Sequence, residues 1–339
     1  MDIKENVSLK DLNTFGINAS AKCLAEVSSG EALSELLLSN DEFREIPKVV
    51  LGGGSNILLT KDVDALVLLN EIKGIEIQKE DEEITEVKVA GGEDWHGFVL
   101  WAVERNLGGV ENMALIPGKI GTAPIQNIGA YGAELKDVFV SAEAVDLATG
   151  ESRVFNAQEC RFGYRDSIFK REAKGKYFIV SVTVRLSKKP KLNVSYGAIR
   201  SVLEEKGIVE PKVKDVCEAV MEIRKSKLPD PAKIGNGGSF FKNPSVTKEV
   251  FDKLSESFPE RPFYKNSDGT FKIPAGWMIE MCGWKGKRDG DAGVHDKQAL
   301  VLVNHGNASG KNILDLSRKI QDSVFEKFGI RIEPEVNVW

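Results

Sequence analysis

Val49-Val50-Leu51-Gly52-Gly53-Gly54-Ser55-Asn56-Ile57-Leu58-Leu59 reads as an apolar strand, a five-residue turn of glycines and small polar residues, and a second apolar segment. The two strands follow each other too closely for a crossover helix, which needs a dozen or more residues. A dinucleotide-binding βαβ unit would require G-x-G-x-x-G opening a helix, but Ile57 occupies the last glycine position and no amphipathic helix follows. Successive amides at Gly52, Gly53 and Gly54, with the Ser55 and Asn56 side chains, suit an anion-binding nest, and the same composition suits a plain tight turn.

Working outward, an apolar-patterned helix over Glu31 to Ser39 precedes this stretch, and the first 70 residues form a small α/β unit. From Ile72 the apolar period changes to two, at Ile75, Ile77, Val87 and Val89, around a helix from Trp95 to Asn106 that stops at Gly108-Gly109. Strands are expected at Glu143 to Leu147 and Tyr177 to Leu186, so this middle third is a strand-rich α+β domain. A boundary falls just before Pro211, where a helix over Val213 to Lys225 begins. Beyond it lie a helix capped by Ser245, a buried strand Ala299 to Val303, a long helix Asn312 to Phe328, and an extended end Ile332-Glu333-Pro334-Glu335-Val336.

The 339 residues, 42% of them apolar, suffice for two or three domains with sizeable cores. A net charge of −5 without a basic tail argues against nucleic-acid or membrane-surface partners. No signal pattern opens the chain and no apolar run approaches a membrane span, so the expected location is the cytoplasm. Cys23, Cys160, Cys217 and Cys282 are scattered without a C-x-x-C pair, which points to reduced, mostly buried thiols and no metal site.

A second uncharged run carries more chemistry: Ile120-Gly-Thr-Ala-Pro-Ile-Gln-Asn-Ile-Gly-Ala-Tyr-Gly132. Gly118, Gly121, Gly129 and Gly132 allow close backbone approach, while Thr122, Gln126 and Asn127 offer neutral polar contacts. Two such charge-poor segments suit a long ligand with a pyrophosphate and a flat apolar ring, a dinucleotide such as a flavin. In Arg161 to Lys170 the aromatics Phe162, Tyr164 and Phe169 would bury the segment and hold Arg165 as a donor toward a carboxylate; a surface turn with an Arg–Asp pair is the plainer reading. Ser239 sits between two glycines and two phenylalanines. None of the three histidines lies in a nucleophile context, so Ser239 reads as a proton donor. Arg224, Lys225, Lys227, Lys233 and Lys242 against Glu222 and Asp230 make this region basic in an acidic chain, which favours an anionic substrate. Glu335 is held beside Pro334 and Val336, with Glu333 alternating to the opposite face.

LGGGSN at Leu51 to Asn56, ALIPGKIGTAPIQNIGAYGAEL at Ala114 to Leu135, FGYRDSIFK at Phe162 to Lys170, KLPDPAKIGNGGSFFKNP at Lys227 to Pro244 and the IEPEV end together resemble the UDP-N-acetylenolpyruvoylglucosamine reductase (MurB) family. PIQNIGAYG with Ser195-Tyr196-Gly197 resembles its type I branch. The resemblance implies an α+β, three-domain flavoprotein with a vanillyl-alcohol-oxidase-type FAD-binding fold: residues 1–70 joined by 329–339, residues 71–209, and a substrate domain over 210–328. It implies FAD held by Gly52, Gly53, Gly54, Ser55, Asn56, Pro117, Gly118, Gly121, Thr122, Gln126, Asn127, Gly129, Ala130 and Gly132, and NADPH as co-substrate. It carries catalytic roles onto Arg165, Ser239 and Glu335, and substrate contacts onto Tyr196, Lys227, Asn243 and Gln298. The implied enzyme is a monomer that reduces the enolpyruvyl ether of UDP-N-acetylglucosamine to UDP-N-acetylmuramate by ping-pong kinetics, a step of peptidoglycan synthesis. Another FAD oxidoreductase on the same scaffold, or a non-catalytic sugar-nucleotide-binding protein, would share parts of the pattern.

Overall fold

The computed structural model describes residues 2–39 and 46–339; Met1 and residues 40–45, which link the first helix to the strand before Gly52, lie outside the described residues. The chain divides into two compact units. One comprises Met1–Val7, Ser20–Gly54 and Val63–Ser226, and the other Ser8–Ala19, Ser55–Asp62 and Lys227–Trp339.

The first unit carries two sheets. Its four-stranded sheet runs in the order Ile3–Ser8, Ser20–Val27, Val63–Asn70, Lys48–Leu51, with the last two pairings parallel. Val63–Asn70 is buried at seven of eight positions, as expected of a central strand flanked by parallel neighbours. The helix Gly30–Ser39 packs its Leu33 and Leu37 into this sheet's core beside Val145 and Phe178. The second sheet orders Ser152–Asn156, Phe139–Asp146, Tyr177–Ser187, Ile84–Ala90 and Ile75–Glu80, antiparallel throughout. Ile84–Ala90 alternates buried and half-buried residues, so the period-two reading of Val87 and Val89 holds.

The helix Trp95–Glu104 is capped by Asp94, which accepts from Gly97 N at 2.7 Å. It ends two residues before the expected Asn106 because Asn106 takes a left-handed φ of 55°. The helix Val213–Lys227 buries Val213, Val216, Cys217, Val220 and Ile223 as one face, and the preceding helix Gly197–Glu205 has no counterpart in the sequence reading.

The second unit is built on the antiparallel sheet Gly235–Ser239, Val301–Asn304, Ala292–Val294, Arg288–Asp289. The long helix Gly310–Phe328 begins two residues earlier than expected, capped by Ser309 with a reciprocal Asn312 bond. One expectation is corrected: Ser245 caps nothing and instead pairs in a short strand with Lys272. Thr247 caps the helix Lys248–Ser257, because its hydroxyl stands three residues ahead of the Val250 amide. The chain end returns to pair Asn337–Val338 in parallel with Ile57–Leu58. Thus the strand after the glycine turn belongs with the C-terminal unit, while the strand before it belongs with the N-terminal one.

Candidate active site

In the first unit the two glycine-rich stretches lie against each other. A methyl group on Gly53 would stand 3.1 Å from the Gly118 Cα, and one on Gly52 would stand 2.5 Å from Thr122 Cγ2. Gly54 and Gly118 take φ of 60° and 120°, which side-chain-bearing residues rarely adopt. At the junction Gly53 meets the Gly118 backbone, and Gly52 meets Thr122 and the stem of Lys119, so the close approach of backbone there suits a pyrophosphate.

The run is fixed from two directions. On one side it lies along Gly91 to His96: Trp95 N donates to Gly118 O (2.9 Å), Ile120 N to Glu93 O (2.9 Å) and Gly121 N to Gly91 O (2.8 Å). The Lys119 ammonium donates to Gly92 O at 3.0 Å and pairs with Glu71 at 3.4 Å, so it anchors the loop; burial lowers its pKa. On the other side, Arg165 Nη2 donates to Gly129 O (2.7 Å), Ser167 Oγ to Ile125 O (2.7 Å) and Asn127 Nδ2 to Gly163 O (3.0 Å). The two motifs read separately from the sequence are therefore one hydrogen-bonded device. Leu115, Asn127, Tyr131 and Arg165 all have φ between 45° and 58°. Left-handed backbone at non-glycine residues costs about 1–2 kcal/mol each and concentrates at functional sites.

Individual positions differ in what they face. Asn127 is fully buried, and its amide is also joined to Glu134 and accepts from Lys136 N. Thr122 Oγ1 donates to Lys119 O at 2.7 Å. Gly121 and Gly129 are required by the protein's own packing, since a methyl group would meet Ile179 O at 2.9 Å and Ala133 O at 2.6 Å respectively. Pro117 and Gly132 are exposed, while Gln126 and Ala130 are half-buried. Tyr196 stands at the start of the helix Gly197–Glu205, 40% exposed, its ring 5.2 Å from Tyr131 at 82°.

Asn112 and Asn193, which the sequence reading passed over, serve this arrangement, as does Arg224, read there only as part of a basic stretch. Asn112 donates to Tyr131 O (3.1 Å) and Asn193 O (2.9 Å), and Asn193 donates to Gly132 O (3.1 Å), which ties the Tyr196 segment to the run. The guanidinium of Arg224 is close enough to Tyr131 and Arg165 for their charges to interact, and burial lowers its pKa. Its Nε is buried without a hydrogen-bond partner in the structure. Their signal was faint: isolated Asn residues in loops look like any turn residue.

The second unit collects Ser239, Glu335, Asn56, Asn243 and Gln298. Ser239 ends the strand Gly235–Ser239, paired with Val301; Phe240 then donates to Leu300 O (2.7 Å) and accepts from Glu335 N (2.7 Å). Phe240 thus bridges two neighbours, and Glu335 enters the ladder one residue beyond Ser239. Asn56 Nδ2 reaches Glu335 O at 3.4 Å, and Asn337 donates to Asn56 O at 3.0 Å. Glu333 is exposed and lies 3.9 Å from Lys242, whereas Ile332 and Val336 are buried; a period of two puts Glu333 and Glu335 on one face, so the expectation that they face oppositely is corrected. Asn243 Oδ1 accepts from Ala275 N (2.9 Å), and Gln298 Oε1 accepts from Leu300 N (3.3 Å). Lys227 is exposed at the end of its helix.

A cavity of about 890 Å³ elsewhere in the first unit is walled by Glu31, Glu35, Glu143, Arg153 and Val180. Its carboxylates disfavour an anionic ligand. Among the described residues no cluster of His, Cys, Asp and Glu could hold a metal, and no helix is long and apolar enough to cross a membrane. All four cysteines are free, three of them buried.

The glycine-rich junction belongs to a flavoprotein: residues 21–156 match the FAD binding domain model. Residues 230–339 match the model for the UDP-N-acetylenolpyruvoylglucosamine reductase C-terminal domain. The enzymes of that name from Flavobacterium johnsoniae and Pseudomonas aeruginosa are 54% and 48% identical to this chain, with 100% of it covered and 100% and 99% of theirs. The crystal structure of the Thermus caldophilus enzyme superposes with a TM-score of 0.69 at 26% identity, over 100% of this chain and 99% of that one. The chain belongs to the UDP-N-acetylenolpyruvoylglucosamine reductase family, and the α+β flavoprotein fold and FAD expected from the motifs are borne out.

Proposed function

We propose that this chain reduces the enolpyruvyl ether of UDP-N-acetylglucosamine to UDP-N-acetylmuramate, taking its electrons from NADPH. The observation that carries the reading is the joined pair of glycine-rich runs, Gly52–Gly54 against Gly118–Thr122, within a chain of this family. FAD, when bound, would supply the hydride chemistry that links NADPH to the terminal methylene carbon of the enol ether. The residues that would hold it are Gly52, Gly53, Gly54, Ser55, Asn56, Pro117, Gly118, Gly121, Thr122, Gln126, Asn127, Gly129, Ala130 and Gly132.

As the C–H bond forms, the double-bond electrons move onto the α-carbon and its carboxylate. Arg165, permanently charged, and Glu335, if protonated, are the donors for that growing charge, and such donors act most strongly when the charge develops in a site closed to water. Ser239 gives its hydroxyl proton to the α-carbon and recovers one from solvent. A hydroxyl is a weak acid, but a carbanion-like carbon is a far stronger base, so position outweighs pKa matching. Tyr196, Lys227, Asn243 and Gln298 bind the sugar nucleotide. We read the organisation as residues 1–70 with 329–339, 71–209 and 210–328, a reading supported at the chain end by the Asn337–Val338 pairing with Ile57–Leu58. The enzyme works as a cytoplasmic monomer.

The test is a yellow purified protein that releases FAD on denaturation, bleaches with NADPH and recovers its colour on adding the enolpyruvyl sugar nucleotide. A colourless protein that still binds the sugar nucleotide would refute the reading.

A further inference from the structure

The lead-in to the uncharged run holds a left-handed residue that is not glycine. Leu115, with φ of 58°, precedes Ile116-Pro117-Gly118, and an L residue does not stay there without support. Its amide donates to His96 Nδ1 at 3.2 Å. His96 is the second residue of the helix Trp95–Glu104. Its neighbour Trp95 holds the same lead-in twice, through Trp95 N to Gly118 O (2.9 Å) and Trp95 Nε1 to Met113 O (3.0 Å). The acceptors of these bonds, and of those at Gly91, Gly92 and Glu93, are backbone carbonyls, which no proton abolishes. His96 Nδ1 is the exception: once protonated it becomes a donor and confronts the Leu115 N–H.

We propose that His96 is a proton-sensitive latch, a positioning residue that in its neutral form fixes Leu115 and through it the Pro117–Gly118 entry to the FAD-binding run. The proposal rests on the reading that this run holds FAD. The charged groups facing His96 are Asp94, which caps its own helix, and Lys225 and Arg224 on the helix Val213–Lys227. Burial lowers the His96 pKa first, Asp94 opposes, and Lys225 and Arg224 lower it further. A histidine whose folded pKa lies below its ordinary 6.5 favours the neutral form. The latch is therefore fully set above pH 6.5 and is lost as pH falls through the folded value.

The test compares FAD retention in wild type, His96→Asn and His96→Ala holoenzymes, read as released flavin fluorescence between pH 7.5 and 5. Asparagine offers a carbonyl acceptor near the Nδ1 position and does not titrate. Losing the bond should weaken FAD binding about tenfold, the cost of a part-buried amide left unmatched. Wild type should weaken by that factor on acidification, His96→Asn should hold FAD with a flat profile, and His96→Ala should be weak and flat throughout. Hydrogen exchange at the Leu115 amide in the FAD-free protein, corrected for intrinsic pH dependence, should lose protection over the same range in wild type alone. Identical pH profiles in wild type and His96→Asn would overturn the latch. Gly53→Ala separates the two claims: if it binds FAD normally, the run's role fails, whereas a flat wild-type profile beside an impaired Gly53→Ala condemns only the latch.

Discussion

Replacing Gly121 by alanine perturbs the uncharged run where it is packed most tightly against its own protein. The added methyl would sit 2.8 Å from Asn70 Nδ2, 2.9 Å from Ile179 O and 3.1 Å from Gly91 O, all inside the 3.4 Å at which ordinary contact begins. None of these neighbours swings away freely: two are backbone carbonyls, and Asn70 is 2% exposed with its amide bonded to Ile179 O at 2.9 Å. Relief requires a shift of roughly half an ångström in the run, which also strains the Gly121 N–Gly91 O bond. Overpacking of this kind costs about 1–3 kcal/mol. Losing the buried Asn70 bond adds about 1 kcal/mol. The variant should melt about 5–15 °C lower and hold FAD about 10- to 100-fold more weakly. Differential scanning fluorimetry and FAD titration of the stripped protein measure both. Gly197→Ala is the control, since nothing lies within 4 Å of its added methyl, and it should be neutral or stabilising by up to about 1 kcal/mol. A Gly121→Ala protein with wild-type melting and FAD affinity would refute the packing argument.

Other positions give further expectations. Gly310 opens the long helix against the Leu59 carbonyl, which an added methyl would overlap, so Gly310→Ala should destabilise the second unit by about 3 kcal/mol or more in urea unfolding. Burial pushes the Cys160 thiol up to about 12 and Cys217 to about 11. Both should therefore remain unalkylated by iodoacetamide at pH 8 in the folded protein and react only on unfolding. Arg165→Lys keeps the charge but gives up the planar fork that reaches Gly129 O; it should lower kcat for the sugar nucleotide by about 100-fold while leaving the fold intact by circular dichroism.

Much of the fold was legible because its elements carry strong periodic signals. Ile84–Ala90, Tyr177–Ser187, Val213–Lys227 and Gly310–Phe328 sit where alternation or helical spacing placed them, within a few residues. The ends were less legible, since they are set by single caps: Ser245 and Thr247 are equally plausible in sequence, and only the Thr247 hydroxyl meets an open helix amide. The helix Gly197–Glu205 was missed although Ile199, Val202 and Leu203 stand at i, i+3 and i+4; the segment is only nine residues long and buries just Ile199 and Leu203 fully, so a single turn carries the signal. At the site, the glycines were visible but their reasons were divided. Gly53 and Gly118 meet backbone to backbone, whereas Gly121 and Gly129 are glycine because the protein itself crowds them. Asn112 and Asn193 carry no sequence signature at all; their role exists only in the carbonyls they reach.

The proposed role of Ser239, protonation after hydride delivery, is open to rapid-mixing spectroscopy of Ser239→Ala in its two half-reactions. Bleaching by NADPH should stay near the wild-type rate, while recovery of colour with the enolpyruvyl sugar nucleotide should slow by several orders of magnitude. Recovery at the wild-type rate would contradict it.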